Sequence, residues 1–186
     1  IAAQFVGNAE EQEAALLVVR RDWAANAITH LTAVRFQAFL SKPDERSAAQ
    51  QTVVDESDAL INELRNADTL VLVLPMYNFV LPSTLKAYFD HIARAGVTFK
   101  YTDKGPVGLV TGMKAYVFAT RGGLYAGTAK DSQTTYVRDF LAFIGITDVT
   151  FVYAEGLNMG EAPKQAALTK AHNQIQQLSN AQALAA

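Results

Sequence analysis

The sequence predicts an α/β protein with a doubly wound parallel sheet, in which right-handed crossovers place helices on both faces to form three α/β/α layers. Two observations predict this class. Runs rich in β-branched and aromatic residues, at 69–74 and 114–120, alternate with segments whose apolar residues recur at helical spacing. The run at 69–74 is also apolar on both faces, which is typical of a parallel strand covered by helices on either side.

The first part of the chain carries weaker signals. Residues Ala2 to Glu13 are polar and helix-compatible, and Leu16 to Val19 are predicted to form a short buried strand. An irregular region follows, with a moderate helical pattern from Val34 to Leu40. Ser47 then begins a helix whose apolar residues share one face. Strands and helices are therefore expected to alternate from Leu16 onward.

Clear boundary residues follow the strand at 69–74. Pro75 ends this strand because proline has no N–H for a sheet ladder. Pro82 opens a helix, and Gly96 is its predicted C-terminal cap. An alternating pattern around residues 103–105 predicts a hairpin. The remaining predicted elements are a strand at 114–120, a helix at 134–145, a strand at 149–155 and a last helix from Glu161 to Ala186.

Composition limits the classes of function. The 186 residues, 50% of them hydrophobic, are enough for one compact domain over 1–186. With 16 basic and 18 acidic residues the chain has no surplus of positive charge for a phosphate backbone, so no nucleic-acid partner is predicted. No apolar run approaches the roughly 20 residues of a membrane-spanning helix, which predicts a soluble protein without a membrane partner. The lack of cysteine excludes disulfides and thiolate catalysis and suits a cytoplasmic location.

Familiar catalytic patterns are missing from the sequence. His30, His91 and His172 have no partner at metal-ligand spacing, so no metal site is predicted. Asp90 and His91 are neighbours in a predicted helix and point in different directions. The sequence contains no Gly-x-Ser-x-Gly elbow, Walker loop or Gly-x-Gly-x-x-Gly motif. No catalytic side chain is therefore predicted.

Two unusual turns follow predicted strands, at Pro75–Phe79 and at Thr120–Gly123. Ligands of open α/β sheets bind outside the carboxyl ends of the strands, where both turns lie. The first turn offers flat or polarizable side chains beside the amide of Asn78, and the second offers glycine N–H groups beside Arg121. A flat heteroaromatic ligand such as an isoalloxazine fits this pattern. From the residues alone, the alternative that the bulky side chains of the first turn only cap a strand stays open.

Several motifs extend over nearly the whole chain at a specific spacing. They are DWAAN at 22–26, SDALINEL at 57–64, PMYNF at 75–79, the segment STLKAYFDHIARAGVTFKYTDKGPVGLVTGMKA at 83–115, TRGG at 120–123, FIGI at 143–146 and AEG at 154–156. Through these motifs the sequence resembles the FMN-dependent NADH-azoreductases of the flavodoxin-like quinone reductase superfamily. The resemblance implies a flavodoxin-like fold.

The resemblance also implies which residues meet the ligands. The residues implied to contact FMN are Pro75, Met76, Tyr77, Asn78, Phe79, Thr120, Arg121, Gly122 and Gly123. Many relatives have serine where this chain has Thr120, which keeps the hydroxyl. Tyr101 and Phe143 resemble aromatic residues that flank the substrate. The family's active sites lie at a homodimer interface, which implies that the partner subunit completes each pocket.

The function implied is a two-step, ping-pong reduction in which FMN carries hydride from NADH to azo compounds or quinones, with no protein nucleophile. A flavodoxin-like single-electron carrier is the first alternative. Such carriers usually present a strongly acidic face, whereas here 18 acidic residues nearly balance 16 basic ones. A flavin-free binding protein is the second alternative.

The sequence departs from the family at its start. The family begins with a first strand and a serine-rich loop that holds the FMN phosphate at a helix N-terminus, whereas this sequence begins where the middle of the first helix is expected. The first strand is thus missing from the sequence, and an additional N-terminal segment is expected in the native protein.

Overall fold

A computed structural model of the protein describes residues 1–13 and 15–183. Its helices and strands, in chain order, are α1 (Ala2–Gln12), α2 (Ala33–Leu40), a 3-10 turn (Pro43–Glu45), α3 (Ala48–Arg65), β1 (Thr69–Pro75), α4 (Ser83–Ile92), β2 (Phe99–Thr102), β3 (Gly105–Gly108), β4 (Lys114–Thr120), α5 (Ser132–Ile144), β5 (Asp148–Ala154) and α6 (Glu161–Ala183). The predicted end of the last helix at 184–186 lies outside the described residues.

The main sheet contains three parallel strands in the order β1-β4-β5. The register aligns Pro75, Thr120 and Ala154, the last residues of the three strands. Strand β4 lies in the centre, and its residues 115–119 are all buried. Because the strands are parallel and in register, the turns that follow them emerge side by side at one edge of the sheet.

Helices cover both faces of this sheet. On one face α3, α4 and α5 pack over a large core that includes Ile61, Leu74, Phe89 and Leu141. On the other face α1 and α6 enclose a smaller core around Phe5, Phe118 and Ile175. This arrangement confirms the predicted three-layer, doubly wound architecture.

The hairpin β2–β3 is also confirmed, and it packs against the end of α5. The N–H of Val110 donates to the carbonyl of Ile144 at 2.8 Å. A Cβ atom added at Gly108 would lie 2.1 Å from the backbone nitrogen of Gly145, so the two backbones approach at a distance that only glycine permits. Gly145 also ends α5 in the left-handed conformation, with φ 111°.

The predicted strand at Leu16 to Val19 is wrong. These residues form no strand, and Leu17 is 86% exposed. A strand needs a neighbour for its N–H and C=O groups, and in the described part of the chain β1 pairs only with β4. Val73 in β1 is 58% exposed, so the expectation that the run at 69–74 is covered on both faces is wrong at this residue.

The C-terminal cap of α4 differs from the predicted one. Helix α4 ends at Ile92 with Ala93 as its C-terminal cap, so the prediction of Gly96 as the cap is wrong. Gly96 instead has φ 77° in the connection to β2. In residues 1–13 and 15–183, no helix is long and apolar enough to span a membrane.

Candidate functional site

The turn after β1, residues 75–80, is a tight two-residue hairpin, here called the first rim turn. The N–H of Tyr77 donates to the carbonyl of Val80 at 2.9 Å, and the N–H of Val80 donates to the carbonyl of Tyr77 at 3.0 Å. The two residues between them have positive φ values, 48° at Asn78 and 72° at Phe79. This is the type I′ geometry, in which asparagine is common and phenylalanine is a rare outlier. Such local strain is found preferentially at functional sites.

The side chains of the first rim turn face outward. Tyr77 is 59% exposed and Phe79 is 52% exposed. The side-chain amide of Asn78 is exposed and has no hydrogen-bond partner in the part of the chain that the structure describes. The turn therefore presents two aromatic surfaces and one free donor–acceptor group to a ligand.

The turn after β4, residues 120–126, lies beside the first and is here called the second rim turn. The N–H of Met76 donates to the carbonyl of Thr120 at 2.9 Å, which extends the β1–β4 pairing beyond the sheet. The backbone N–H groups of Gly122 and Gly123 have no protein acceptor among residues 1–13 and 15–183. These two N–H groups are available to an electron-rich ligand.

Close neighbours explain the two glycines of the second rim turn. A Cβ atom at Gly122 would lie 2.7 Å from Nδ2 of Asn158, and one at Gly123 would lie 3.1 Å from the ring of Tyr125. Any side chain at either position would push against these groups. The glycines therefore allow the backbone to run close to its neighbours while its N–H groups stay open.

The two rim turns meet through aromatic side chains. The rings of Phe79 and Tyr125 lie edge to face, with centroids 5.8 Å apart. The hydroxyl of Ser132, at the start of α5, donates to the carbonyl of Phe79 at 2.7 Å. The rim turns thus form one continuous surface at the carboxyl edge of the sheet.

The segment after β5 supports the second rim turn from the far side. The N–H of Leu157 donates to the carbonyl of Arg121 at 3.1 Å, and the N–H of Asn158 donates to that of Gly122 at 3.0 Å. These bonds hold the peptide carbonyls of the second rim turn toward residues 157 and 158. The backbone that carries the free N–H groups is therefore fixed.

The guanidinium of Arg121 lies beneath the second rim turn and is fully buried. It forms ion pairs with Asp131 at 2.9 Å and with Glu155 at 3.1 Å. Its Nε donates to Oε1 of Gln133 at 3.1 Å, and another nitrogen donates to Oγ1 of Thr134 at 2.8 Å. The positive charge is therefore used to hold the turn, and only the backbone of Arg121 remains near a ligand at the rim.

This cluster shifts two pKa values. Burial alone would raise the pKa of Asp131. Hydrogen bonds from Arg121 and Thr134 lower this pKa by a larger amount, so it lies below its ordinary value of 3.8. Burial raises the pKa of Tyr153, whose ring lies under the guanidinium, 4.9 Å from it. Asp131 also caps α5, because its Oδ1 accepts the N–H of Thr134 at 3.0 Å.

The structure brings Pro75–Phe79 and Thr120–Gly123 together but leaves Tyr101 and Phe143 apart from them. Tyr101 and Phe143 both pack on Phe99, with ring centroids 5.5 and 4.2 Å away. Helix α5 begins at the rim, and Phe143 lies near its other end, about 16 Å along the axis at 1.5 Å per residue. In a single chain these aromatic residues belong to a different surface.

Three residues that support the rim carried little sequence signal. Glu155 is part of the AEG motif, but its contact with Arg121 depends on the parallel pairing of β4 and β5. Gln133 and Tyr125 have no motif of their own, and only the fold shows their contacts with the rim turns.

A separate cavity of about 240 Å³ lies at the opposite edge of the sheet. Its lining includes Asp68, which precedes β1, and Met113, which precedes β4. None of the predicted site residues lines this cavity. The carboxyl edge, with its two rim turns, is therefore the candidate site.

A parallel sheet with helices on both faces and two adjoining turns at its carboxyl edge places the chain in the doubly wound α/β class, in which ligands bind at that edge. The chain belongs to the flavodoxin-like fold family, whose model matches residues 1–178. This match confirms the predicted fold class.

The chain is also similar in sequence to several oxidoreductases. An FMN-dependent NADH:quinone oxidoreductase of Cellvibrio japonicus is 51% identical over 177 residues, which cover 95% of this chain and 88% of the relative. One of Alteromonas mediterranea is 50% identical, with 91% and 84% covered. Among solved structures, an azoreductase from Bacillus anthracis has a TM-score of 0.88 at 25% identity and covers 96% of this chain and 88% of that one. The resemblance inferred from the motifs is confirmed.

Proposed function

We propose that this protein is an FMN-dependent oxidoreductase that transfers hydride from NADH to quinones and azo compounds. The observation that carries the proposal is the pairing of the two rim turns, which presents exposed aromatic rings, a free amide and free N–H groups on one surface. The names of relatives at about 50% identity support the same cofactor and donor. The chain would form one FMN-binding domain over residues 1–186, in a cytoplasmic protein.

The rim turns fit the ring end of FMN. The first rim turn, Pro75–Phe79, would hold one edge and face of the isoalloxazine through the amide of Asn78 and the aromatic rings. The second, Thr120–Gly123, would hold another edge through the hydroxyl of Thr120 and the open N–H groups of the two glycines. No metal or protein nucleophile is required by this arrangement.

FMN held by the two rim turns would supply the redox chemistry, which is the transfer of hydride from NADH to the acceptor in the two half-reactions of a ping-pong cycle. The protein contributes binding and electrostatics. The N–H groups of Gly122 and Gly123 would stabilise negative charge on the bound ring. The exposed rings of Tyr77 and Phe79 would cover one side of the bound ring and leave its other face to flat substrates.

A homodimer would complete the site. The cluster of Tyr101, Phe99 and Phe143 lies about 16 Å along α5 from the rim of its own chain. A second copy could place its Tyr101 and Phe143 beside the rim and flank the substrate. Tyr101 is 73% exposed, which leaves its ring free for such a contact.

The activity is tested by adding NADH to the native protein with FMN and following NADH absorbance with either a benzoquinone or an azo dye. Both acceptors should support NADH oxidation, and omission of FMN from the stripped protein should abolish it. Stoichiometry gives a second check, because azo cleavage to two amines consumes two NADH and quinone reduction consumes one. Absence of NADH oxidation with both acceptors would overturn the proposal.

Asn78→Gly tests the site directly. Glycine keeps the positive φ of 48° at no steric cost but removes the amide. FMN affinity should fall about tenfold, as expected for the loss of one or two hydrogen bonds, while the melting temperature stays near that of the wild type. FMN titration by fluorescence measures the first quantity. Unchanged affinity would remove Asn78 from the proposed site.

A further inference from the structure

A buried glutamine on α5 contacts both rim turns. Gln133 is 1% exposed. Its Nε2 donates to the carbonyl oxygens of Pro75 at 3.1 Å and of Val80 at 3.3 Å, which lie at the two ends of the first rim turn. Its Oε1 accepts from Nε of Arg121 at 3.1 Å. One side-chain amide therefore joins the turn after β1 to the turn after β4.

The rest of the network fixes the second rim turn. Arg121 donates to Oε1 of Glu155 at 3.1 Å, and the same oxygen accepts the N–H groups of Tyr125 and Ala126, each at 2.9 Å. Glu155 therefore connects the far end of the second rim turn to the arginine that Gln133 holds. A continuous path of hydrogen bonds runs from Val80 to Ala126.

The bonding pattern requires an amide at position 133. A carboxylate could accept from Arg121 but could not donate to the two carbonyls of the first rim turn. An apolar side chain would leave the buried Nε of Arg121 and both carbonyls without this partner. Because each member of a buried polar network depends on the others, a change at Gln133 affects both turns.

We infer that Gln133 is a positioning residue that sets the spacing of the two rim turns and, through it, the affinity for the flavin ring. Its own donors and acceptor are taken up by the protein, so it acts through the turns. The identity of the ligand rests on the proposed function, whereas the coupling of the turns rests only on the contacts of Gln133.

The test compares three variants of the native protein. Gln133→Leu removes both halves of the contact, and Gln133→Glu keeps its size and the acceptor for Arg121. The control is Gln174→Leu, because Gln174 also donates to one strand carbonyl, that of Phe151 at 3.2 Å, but lies on α6 away from the rim. Two quantities are measured: FMN affinity by fluorescence titration, and deuterium uptake of segments 75–80 and 120–126 in the FMN-free protein.

Gln133→Leu should weaken FMN binding about tenfold or more and speed deuterium uptake in both rim turns. Gln174→Leu should do neither. Gln133→Glu should weaken FMN binding and speed deuterium uptake mainly in segment 75–80, because the carboxylate still accepts from Arg121 but cannot donate to the carbonyls of the first rim turn. A general loss of stability would instead speed uptake in both segments alike.

The inference would be overturned if both Gln133 variants bound FMN and took up deuterium as the wild type does. It would also be overturned if Gln174→Leu changed FMN affinity and deuterium uptake as much as Gln133→Leu does. If the leucine variant does not fold, the difference in deuterium uptake between segments 75–80 and 120–126 in Gln133→Glu decides. If the wild-type protein itself fails to bind FMN, the proposed function is wrong, and deuterium uptake alone then decides whether Gln133 couples the turns.

Discussion

Phe79 occupies a backbone conformation that is unfavourable for a bulky L-residue, with φ 72°. Its carbonyl accepts from Ser132, and its ring meets Tyr125, so neighbouring groups hold it in place. The side chain is 52% exposed, which means that burial does not explain why phenylalanine is found there. The proposed contact with a ligand would explain it, because the strained turn directs the ring outward at the rim.

The strain is measurable by comparing Phe79→Gly with Phe79→Ala. Both variants lose the same ring contacts, but only glycine adopts positive φ without a steric penalty. We expect the glycine variant to be more stable by about 1 kcal/mol, as measured by urea unfolding. Equal stabilities would show that the first rim turn is not strained at this residue.

Asp131 links the buried cluster to acid stability. Its pKa is lowered in the folded protein, so the charged form stabilises the fold at pH values above its ordinary pKa of 3.8. This contribution is lost as the pH falls below 3.8 and through the lower folded-state pKa. Asp131→Asn keeps a residue that caps helices well and removes the charge.

We therefore expect Asp131→Asn to cost about 2 kcal/mol of unfolding free energy near pH 7 and much less near pH 2.5. Urea unfolding of both proteins across this range measures the difference. Glu11→Gln is the control, because Glu11 is an exposed carboxylate on α1 that does not contact the cluster. A difference that stays constant with pH would contradict the pKa assignment of Asp131.

At the residue scale, local composition marked Asn78 and Phe79, because a bulky aromatic residue beside an amide is unusual in a turn after a buried strand. Their positive φ values were not predicted, and their contact with a ligand stays a prediction. Gln133 could not be found in this way, because its partners at Pro75 and Val80 are more than fifty positions away in the chain.

At the scale of elements, glycines set how closely the hairpin β2–β3 approaches α5. Gly108→Ala would place a methyl group 2.1 Å from the nitrogen of Gly145, so the hairpin must shift. We expect a loss of about 2 kcal/mol or more in unfolding free energy. Gly7→Ala in α1 is the matched control, because a Cβ atom there meets nothing within 4 Å.

Gly7→Ala should raise the unfolding free energy by about 0.5–1 kcal/mol, because alanine has a higher helix propensity than glycine. Chemical unfolding of the two variants beside the wild type gives both values. A Gly108→Ala protein as stable as the wild type would mean that the hairpin is not held against α5.

Helix starts marked by local capping residues were predicted well, whereas the predicted strand at Leu16 to Val19, which has no neighbouring strand among the described residues, was not confirmed. The cap of α3 at Ser47 is confirmed as a capping box with Gln50. Leu16 to Val19 has the composition of a strand, but a strand depends on hydrogen-bond partners that composition does not reveal. The prediction of Gly96 as the C-terminal cap of α4 is wrong, because the helix ends at Ile92 and Ala93 is its cap.

At the scale of the whole molecule, the distance between the rim and the aromatic cluster of Tyr101 and Phe143 raises the question of whether one chain or two chains form the active site. If both contribute to catalysis within one chain, a defect in either abolishes that chain's own site. If a homodimer pairs the rim of one copy with the cluster of the other, a copy with a defective rim can still supply its cluster.

We expect complementation between two impaired variants, assayed at an FMN concentration near the wild-type Kd, where a rim that binds FMN about tenfold more weakly stays mostly empty. Asn78→Gly removes the amide of the rim, and Tyr101→Ala removes the ring proposed to act in the partner's site. When the two are unfolded, mixed in equal amounts and refolded with FMN, half of the dimers are mixed, and each mixed dimer contains one intact site and one doubly altered site. About one quarter of all sites are then intact, so about one quarter of the wild-type activity should return.

Refolding each variant alone is the control, and neither should gain activity beyond its own low level. Sedimentation of the refolded mixture at the mass of two chains establishes that dimers have formed. Activity of the mixture equal to the average of the two separate variants, despite dimer formation, would place Tyr101 and the rim in the same chain's site or remove Tyr101 from catalysis. The separation of about 16 Å along α5 between the rim and Phe143 makes complementation the expected result. Tyr101 and Phe143 both pack on Phe99 near the far end of that helix.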